Sequence, residues 1–183
     1  MHGSLAELLR AWHDFYMLVG TASATLVGLM FVSASIGASI YNESHRGAMR
    51  AFVTPTVVHF SAMLFICILV MVPSHTFVTL GVLLGVGGLL GIAHSAIVVF
   101  ALLVRHRFTI DFSDRMFYAL IPVLGYVLVA TSGIMLLVQS SWSFNVIAAA
   151  VLVLLVAAIR NAWDMTVWVV IRAPIPPAPP SQS

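Results

Sequence analysis

The chain has 183 residues, of which 61% are hydrophobic and 8% are Asp, Glu, Lys or Arg. A soluble domain carries about 25% charged residues, so the composition argues against a soluble globular fold and predicts an all-α integral membrane protein. The eight basic residues are all arginines and give a net charge of +2. Because they form no basic face interleaved with aromatic side chains, we do not expect nucleic acid as a partner.

Five apolar segments follow one another along the chain, each long enough to cross a hydrocarbon layer of about 30 Å as a helix. They lie at about 12–40, 52–73, 77–104, 116–138 and 144–171. The first segment has Glu7 near its start and lacks a basic leader, so we interpret it as a retained span and not as a signal peptide. The sequence therefore predicts a single five-helix bundle over residues 1–172.

The remaining residues, 173–183, are rich in proline and read APIPPAPPSQS. Proline lacks an amide hydrogen and cannot continue a helix, so this segment predicts a short non-helical tail. Pro55 is a different case, because the second apolar segment begins near residue 52 and places this proline in a first helical turn, where the missing donor is harmless.

The arginines predict the orientation of the bundle. One side of the membrane receives Arg10 alone. The other side receives six arginines: Arg46, Arg50, Arg105, Arg107, Arg115 and Arg172. Because cytoplasmic loops carry the excess of positive charge, we expect the N-terminus outside and the C-terminus in the cytoplasm of a bacterial-type inner membrane. Arg105 and Arg107 are expected to bind anionic lipid headgroups. Trp12 and Trp142 then fall at the outer interface, and Trp163 and Trp168 at the inner one.

Two histidines stand out within the apolar segments. His59 lies nine residues after Arg50, and His94 lies eleven residues before Arg105, which puts them about 13 Å and about 16 Å from the same membrane face. Tyr126 in the fourth segment reaches the same depth. Ionisable side chains near the middle of a bilayer are costly and are candidates for functional sites. We interpret the three residues as part of an ion or proton pathway.

Two other interpretations of the histidines remain open. Each imidazole could simply donate to a backbone carbonyl or a hydroxyl group and have a structural role. Alternatively, His59 and His94 could ligate a b-type haem or a metal. Gly87 and Gly91 precede His94 on its helical face and would leave room for a flat macrocycle.

The first segment carries small residues at spacings of four and three, as in the seam of a helix packing contact. The stripe is formed by Thr21, Thr25, Gly28, Val32, Ser35 and Ser39. Small residues allow helices to approach closely, either within the subunit or across the axis of a homo-oligomer. A sharper interpretation is that Thr21, Thr25 and Ser35 line a pore, because hydroxyl groups can replace part of the hydration of a permeating ion.

The last segment contains Arg160, Asn161 and Asp164 close to its cytoplasmic end. Arg160 and Asp164 are four residues apart and share a helical face. An ion pair at the membrane interface is the simpler interpretation, and a gate at the cytoplasmic mouth is the alternative.

The sequence contains no Walker loop, HExxH, GxSxG or CxxC motif, so we do not expect an enzyme or a resident cofactor. It predicts a homo-oligomeric channel or transporter for an ion or small solute. The first alternative is a haem- or metal-binding redox subunit that uses His59 and His94. The second is a non-catalytic accessory subunit of a membrane complex.

Overall fold

The computed structural model of the protein describes the backbone of residues 5–40, 43–105 and 120–172, and the side chains of 5–35, 55–100, 120–164 and 166–167. This part of the chain is helical apart from short connections. Its five helices are α1 (Leu5–Ile40), α2 (Glu43–Met71), α3 (Phe77–Arg105), α4 (Ile121–Leu137) and α5 (Ser143–Arg172). The all-α prediction is confirmed.

Three helices in the described ranges contain stretches that are long and apolar enough to cross a membrane: Leu5–Ser35, Phe77–Phe100 and Ser143–Asp164. Two further stretches, Pro55–Met71 and Ile121–Leu137, are apolar but shorter. The helices therefore agree with the class that the composition predicts.

Helices α1 and α2 begin before the apolar segments from which they were predicted. The second begins at Glu43 and not near residue 52, so Pro55 lies inside α2 and not in its first turn. Hydropathy locates the apolar part of a helix, whereas the backbone hydrogen bonds of the helix continue through its polar ends. Pro55 has no amide hydrogen and removes one of these hydrogen bonds from α2. The first helix likewise starts at Leu5, with Glu7 in its first turn, where a negative charge is favourable. The fifth runs unbroken past Arg160.

Helices α3 and α4 pack against each other most extensively and run antiparallel. A Cβ atom at Gly88 would lie 2.5 Å from the backbone nitrogen of Ala130, and one at Gly133 would lie 2.6 Å from the carbonyl oxygen of Gly81. The two backbones thus approach closely because glycines occupy the contact, as is common in membrane bundles.

The other contacts complete the bundle. Gly20 of α1 faces Cys67 of α2, and Met30 of α1 lies near Phe60 of α2, so these helices also run antiparallel. The Tyr16 hydroxyl of α1 donates to the carbonyl oxygen of Phe144 at the start of α5, with an oxygen-to-oxygen distance of 3.0 Å. In contrast, α2 and α3 scarcely touch. The start of α1 and the connections at residues 72–76 and 138–142 consequently lie at one end of the bundle.

The core lies between α1, α2, α4 and α5, and its largest fully buried side chains include Tyr16, Phe60, Met63, Phe144 and Leu154. Helix α3 contributes Leu80 and Leu84 but presents most of its other large apolar side chains outward. This exposure is the arrangement expected of a helix that faces lipid or a partner.

Candidate functional site

His59, Tyr126 and His94 come together from α2, α4 and α3. The His59 side chain is 2% exposed, and its Nδ1 atom lies 3.0 Å from the hydroxyl oxygen of Tyr126. The centres of these two rings are 5.7 Å apart. Either Tyr126 donates to Nδ1 or the protonated Nδ1 donates to Tyr126, according to the tautomer of the imidazole.

His94 completes this cluster from the third helix. Its ring centre lies 6.5 Å from that of His59, and the two ring planes are nearly perpendicular, at 81°. The Nε2 atom of His94 is buried and has no hydrogen-bond partner among the described residues. A buried polar atom of this kind is costly unless a water or another ligand satisfies it. The cluster thus joins one imidazole that is hydrogen-bonded through Nδ1 to a second imidazole whose buried Nε2 has no partner among the described residues.

Gly91 explains how the Tyr126 ring reaches this position. A Cβ atom at Gly91 would overlap Cγ, Cδ1 and Cε1 of Tyr126, whereas one at Gly87 would meet no atom within 4 Å. The absence of a side chain at Gly91 therefore leaves the space that the tyrosine ring occupies. Tyr126 thus fills the room expected for a flat macrocycle on the Gly91 side, whereas the space at Gly87 is open.

Two small polar residues flank the histidines and were not singled out by sequence. Thr56, which lies one turn before His59, is fully buried. Ser95 follows His94 and is also buried, and its hydroxyl oxygen has no hydrogen-bond partner among the described residues. The spacing of Thr56 from His59 could have identified it, because residues three apart share a helical face.

The chemistry of the cluster is that of hydrogen bonding and proton exchange. Imidazole carries one donor and one acceptor when neutral, and the tyrosine hydroxyl can act as both. Within the described ranges no group of three or more His, Cys, Asp or Glu side chains could hold a metal ion. The geometry thus offers sites at which a proton could be bound and passed on.

The predicted pore residues of α1 lie elsewhere. Thr21, Thr25 and Ser35 are exposed on the outward side of the helix. The Thr25 hydroxyl donates to the Thr21 carbonyl oxygen and that of Ser35 to the carbonyl oxygen of Phe31, both at 2.9 Å. Gly28, between them, has open space where a Cβ would be. The structure does not bring these residues to the histidine cluster, and the part of the stripe from Thr21 to Ser35 faces away from the core of the subunit. The side chain of Ser39 lies outside the described residues.

The cytoplasmic group predicted on α5 divides between two environments. Arg160 donates to the Asp164 carboxylate, forming an ion pair along the helix. Asn161 instead is buried within the bundle. The side chain of Arg105 and the whole of Arg107 lie outside the described residues, as does the tail at 173–183.

Comparisons of the chain with protein-family models, with characterised proteins and with solved structures found no match.

Proposed function

We propose that the protein is a five-span protein of a bacterial inner membrane that moves an ion or small solute as a homo-oligomer, with a proton relay at His59, Tyr126 and His94. One observation carries the proposal, namely the buried hydrogen bond between His59 and Tyr126 beside the half-buried His94, whose buried Nε2 atom has no partner among the described residues. Ionisable groups at this depth are costly to bury, and proton pathways are among their recurrent uses.

The relay needs one bridging water, because no direct hydrogen bond joins the two imidazoles across 6.5 Å between ring centres. Protonated His94 gives its Nε2 proton to the water, which passes a proton to the Tyr126 hydroxyl. Tyr126 in turn passes its own proton to Nδ1 of His59. Tyrosine and water are regenerated, and one proton has moved from α3 to α2.

The proposed orientation has the N-terminus outside. It is supported by the distribution of the arginines. The two connections at 72–76 and 138–142, which lie at the same end of the bundle as the start of α1, contain no Arg, Lys, Asp or Glu, as is typical of the outer side. The proposed homo-oligomer is supported by the outward stripe of small residues on α1, which would let a second copy approach closely. Anionic lipids at the cytoplasmic face are the expected additional partners.

An accessory role in a larger membrane complex is the second candidate. The observation that favours it is the outward apolar face of α3, on which several large side chains are exposed: Val78, Val86, Leu89, Leu90, Ile97 and Phe100. A protein subunit could cover this face. The haem-binding alternative gains no support, because Tyr126 occupies the space beside Gly91.

Proton flux into liposomes tests the relay. Purified protein is reconstituted with a pH-sensitive dye inside the vesicles, and a potassium diffusion potential drives protons inward. Tyr126→Phe removes one hydroxyl group and leaves the ring in place. We expect it to lower the flux by about 100-fold, the lower end of what a positioned proton-transfer group contributes.

Tyr16→Phe is the matched control, because among the described residues Tyr16 is the other buried tyrosine, and its hydroxyl bonds to the Phe144 carbonyl and not to a histidine. It should retain the flux of the unmodified protein, while His94→Gln should lose it. Equal flux through the Tyr126→Phe and Tyr16→Phe proteins would refute the relay.

A further inference from the structure

Ser95 is a buried polar residue at the histidine cluster that the relay described above does not use. Its side chain is 3% exposed, and its hydroxyl oxygen has no hydrogen-bond partner among the described residues. A hydroxyl group in a helix can donate to a carbonyl oxygen one turn earlier, and five residues of this protein do so: Thr25, Ser35, Thr131, Ser132 and Thr166. Ser95 does not, so its buried hydroxyl is costly unless another group bonds to it.

Ser95 lies on the face of α3 that meets α4. Gly88, Gly91 and Ser95 recur at spacings of three and four, so they share one side of the helix. A Cβ atom at Gly88 would touch Ala130 of α4, and one at Gly91 would overlap the ring of Tyr126. Ser95 therefore faces α4 one turn beyond the contact between Gly91 and Tyr126.

The ring of Tyr126 extends towards the level of Ser95. Side chains on an α-helix lean towards the N-terminus of their own helix, and α4 runs antiparallel to α3. From Gly91, the direction towards the start of α4 is thus the direction along α3 towards His94 and Ser95. The Tyr126 hydroxyl, Nε2 of His94 and Oγ of Ser95 consequently lie close to one level of the bundle.

Three polar atoms at one level suit a single water molecule. Buried waters commonly make about three hydrogen bonds to polar groups of the protein. The Tyr126 hydroxyl bonds to His59 but can form a further hydrogen bond, because a hydroxyl group both donates and accepts. Nε2 of His94 and Oγ of Ser95 have no partner in the described part of the chain. One water bonded to all three atoms would satisfy both of these buried groups.

We propose that Ser95 forms, with His94 and Tyr126, a binding site for one buried water and that its hydroxyl orients this water. The proposal rests on the proton relay proposed above, in which a water joins His94 to Tyr126. Oγ of Ser95 accepts one hydrogen of the water, which directs the other hydrogen to the Tyr126 oxygen. A lone pair of the water then accepts the proton from Nε2 of His94. Ser95 gains and loses no proton and is a positioning residue.

Proton flux into liposomes tests the role of the hydroxyl. Ser95→Ala should lower the flux about ten-fold, as the loss of one hydrogen bond to the water would give. Ser132→Ala is the matched control, because Ser132 is also fully buried but already donates to the Val129 carbonyl oxygen at 2.7 Å. It should leave the flux unchanged. Ser95→Thr keeps a hydroxyl group and should restore most of the flux. The comparison of the two alanine variants decides even where threonine does not fit between the helices.

Solid-state NMR in lipid detects the water itself. Protein with isotope-labelled histidine, deuterated on carbon, is reconstituted in deuterated lipid, and magnetisation is transferred from water protons to the imidazole nitrogens. The His94 signal is assigned by its absence in His94→Gln. We expect it to appear at short mixing times in the unmodified protein. Ser95→Ala should lose most of this signal, whereas Ser132→Ala and Tyr16→Phe should keep it.

The possible failures are distinguishable. Absence of transfer from water to His94 in the unmodified protein would refute the water site, whatever the flux. Equal flux through the Ser95→Ala and Ser132→Ala proteins would refute the role of Ser95. A flux that Ser95→Ala lowers while the water signal at His94 stays intact would show that Ser95 acts through packing alone. Unchanged flux in Tyr126→Phe, with the water signal present, would refute the relay and leave the water site standing.

Discussion

At the scale of single residues, the position of Tyr126 depends on the missing side chain of Gly91. Gly91→Ala would place a methyl group within the tyrosine ring, so the ring must move away and its bond to His59 must break. We expect the free energy of unfolding in detergent to fall by about 1–3 kcal/mol, as at other overpacked sites. Proton flux should fall with it.

Gly87→Ala provides the control for this prediction, since a Cβ at Gly87 meets no atom within 4 Å. Because alanine is the better helix former, this change should raise stability by about 0.5–1 kcal/mol and leave the flux unaltered. Equal effects of the two substitutions on flux would show that Gly91 does not position Tyr126.

At the scale of helices, the contact between α3 and α4 depends on backbone approach and not on interlocking side chains. A Cβ atom at Gly133 would lie 2.6 Å from both the carbonyl oxygen of Gly81 and the backbone nitrogen of Gly85. Backbone atoms cannot rotate aside, so Gly133→Ala must push the helices apart. We expect a loss of about 3 kcal/mol in the free energy of unfolding, the upper end of overpacking costs.

Gly85→Ala is a matched change on the facing helix, because the new methyl group would meet nothing within 4 Å. It should leave the free energy of unfolding within about 1 kcal/mol of the unmodified protein. Comparable destabilisation by Gly85→Ala and Gly133→Ala would mean that α3 and α4 are packed differently.

At the scale of the whole molecule, the proposed orientation predicts which loops are accessible from outside. In a Cys67→Ser background, Ser74→Cys and Ser141→Cys should react with a membrane-impermeant thiol reagent on intact cells. Ser113→Cys, in the arginine-bearing segment between α3 and α4, should react only after the cells are permeabilised. The reverse pattern would place the N-terminus in the cytoplasm.

The proposed homo-oligomer predicts a second result at this scale. Gly28→Leu adds a bulky side chain to the outward stripe of α1 and should weaken association about ten-fold, as about 1.4 kcal/mol of steric cost implies. Ala96→Leu, at an exposed position on α3, should have no effect. Native mass measurement in lipid distinguishes the two, and a monomeric unmodified protein would contradict the prediction.

The depth of a residue along its helix could be predicted from the sequence, but whether its side chain faces the core or the outside could not. Counting from Arg50 and Arg105 put His59 and His94 at one level, and the structure brings them into one cluster with Tyr126. Nothing in the sequence indicated that Thr21 and Thr25 face outward. In a membrane protein, the lipid-facing and core-facing sides are both apolar, so hydropathy does not distinguish them.

The sparse contact between α2 and α3 bears on how the native state opens locally. The hydrogen bond between His59 and Tyr126 connects α2 to α4, while α2 and α3 scarcely touch, and such a bond contributes about 1 kcal/mol. Regions with few buried contacts open at a lower free energy than the core. Amide hydrogens of α3 around His94 should therefore exchange with solvent deuterium sooner than those of α5 around Leu154.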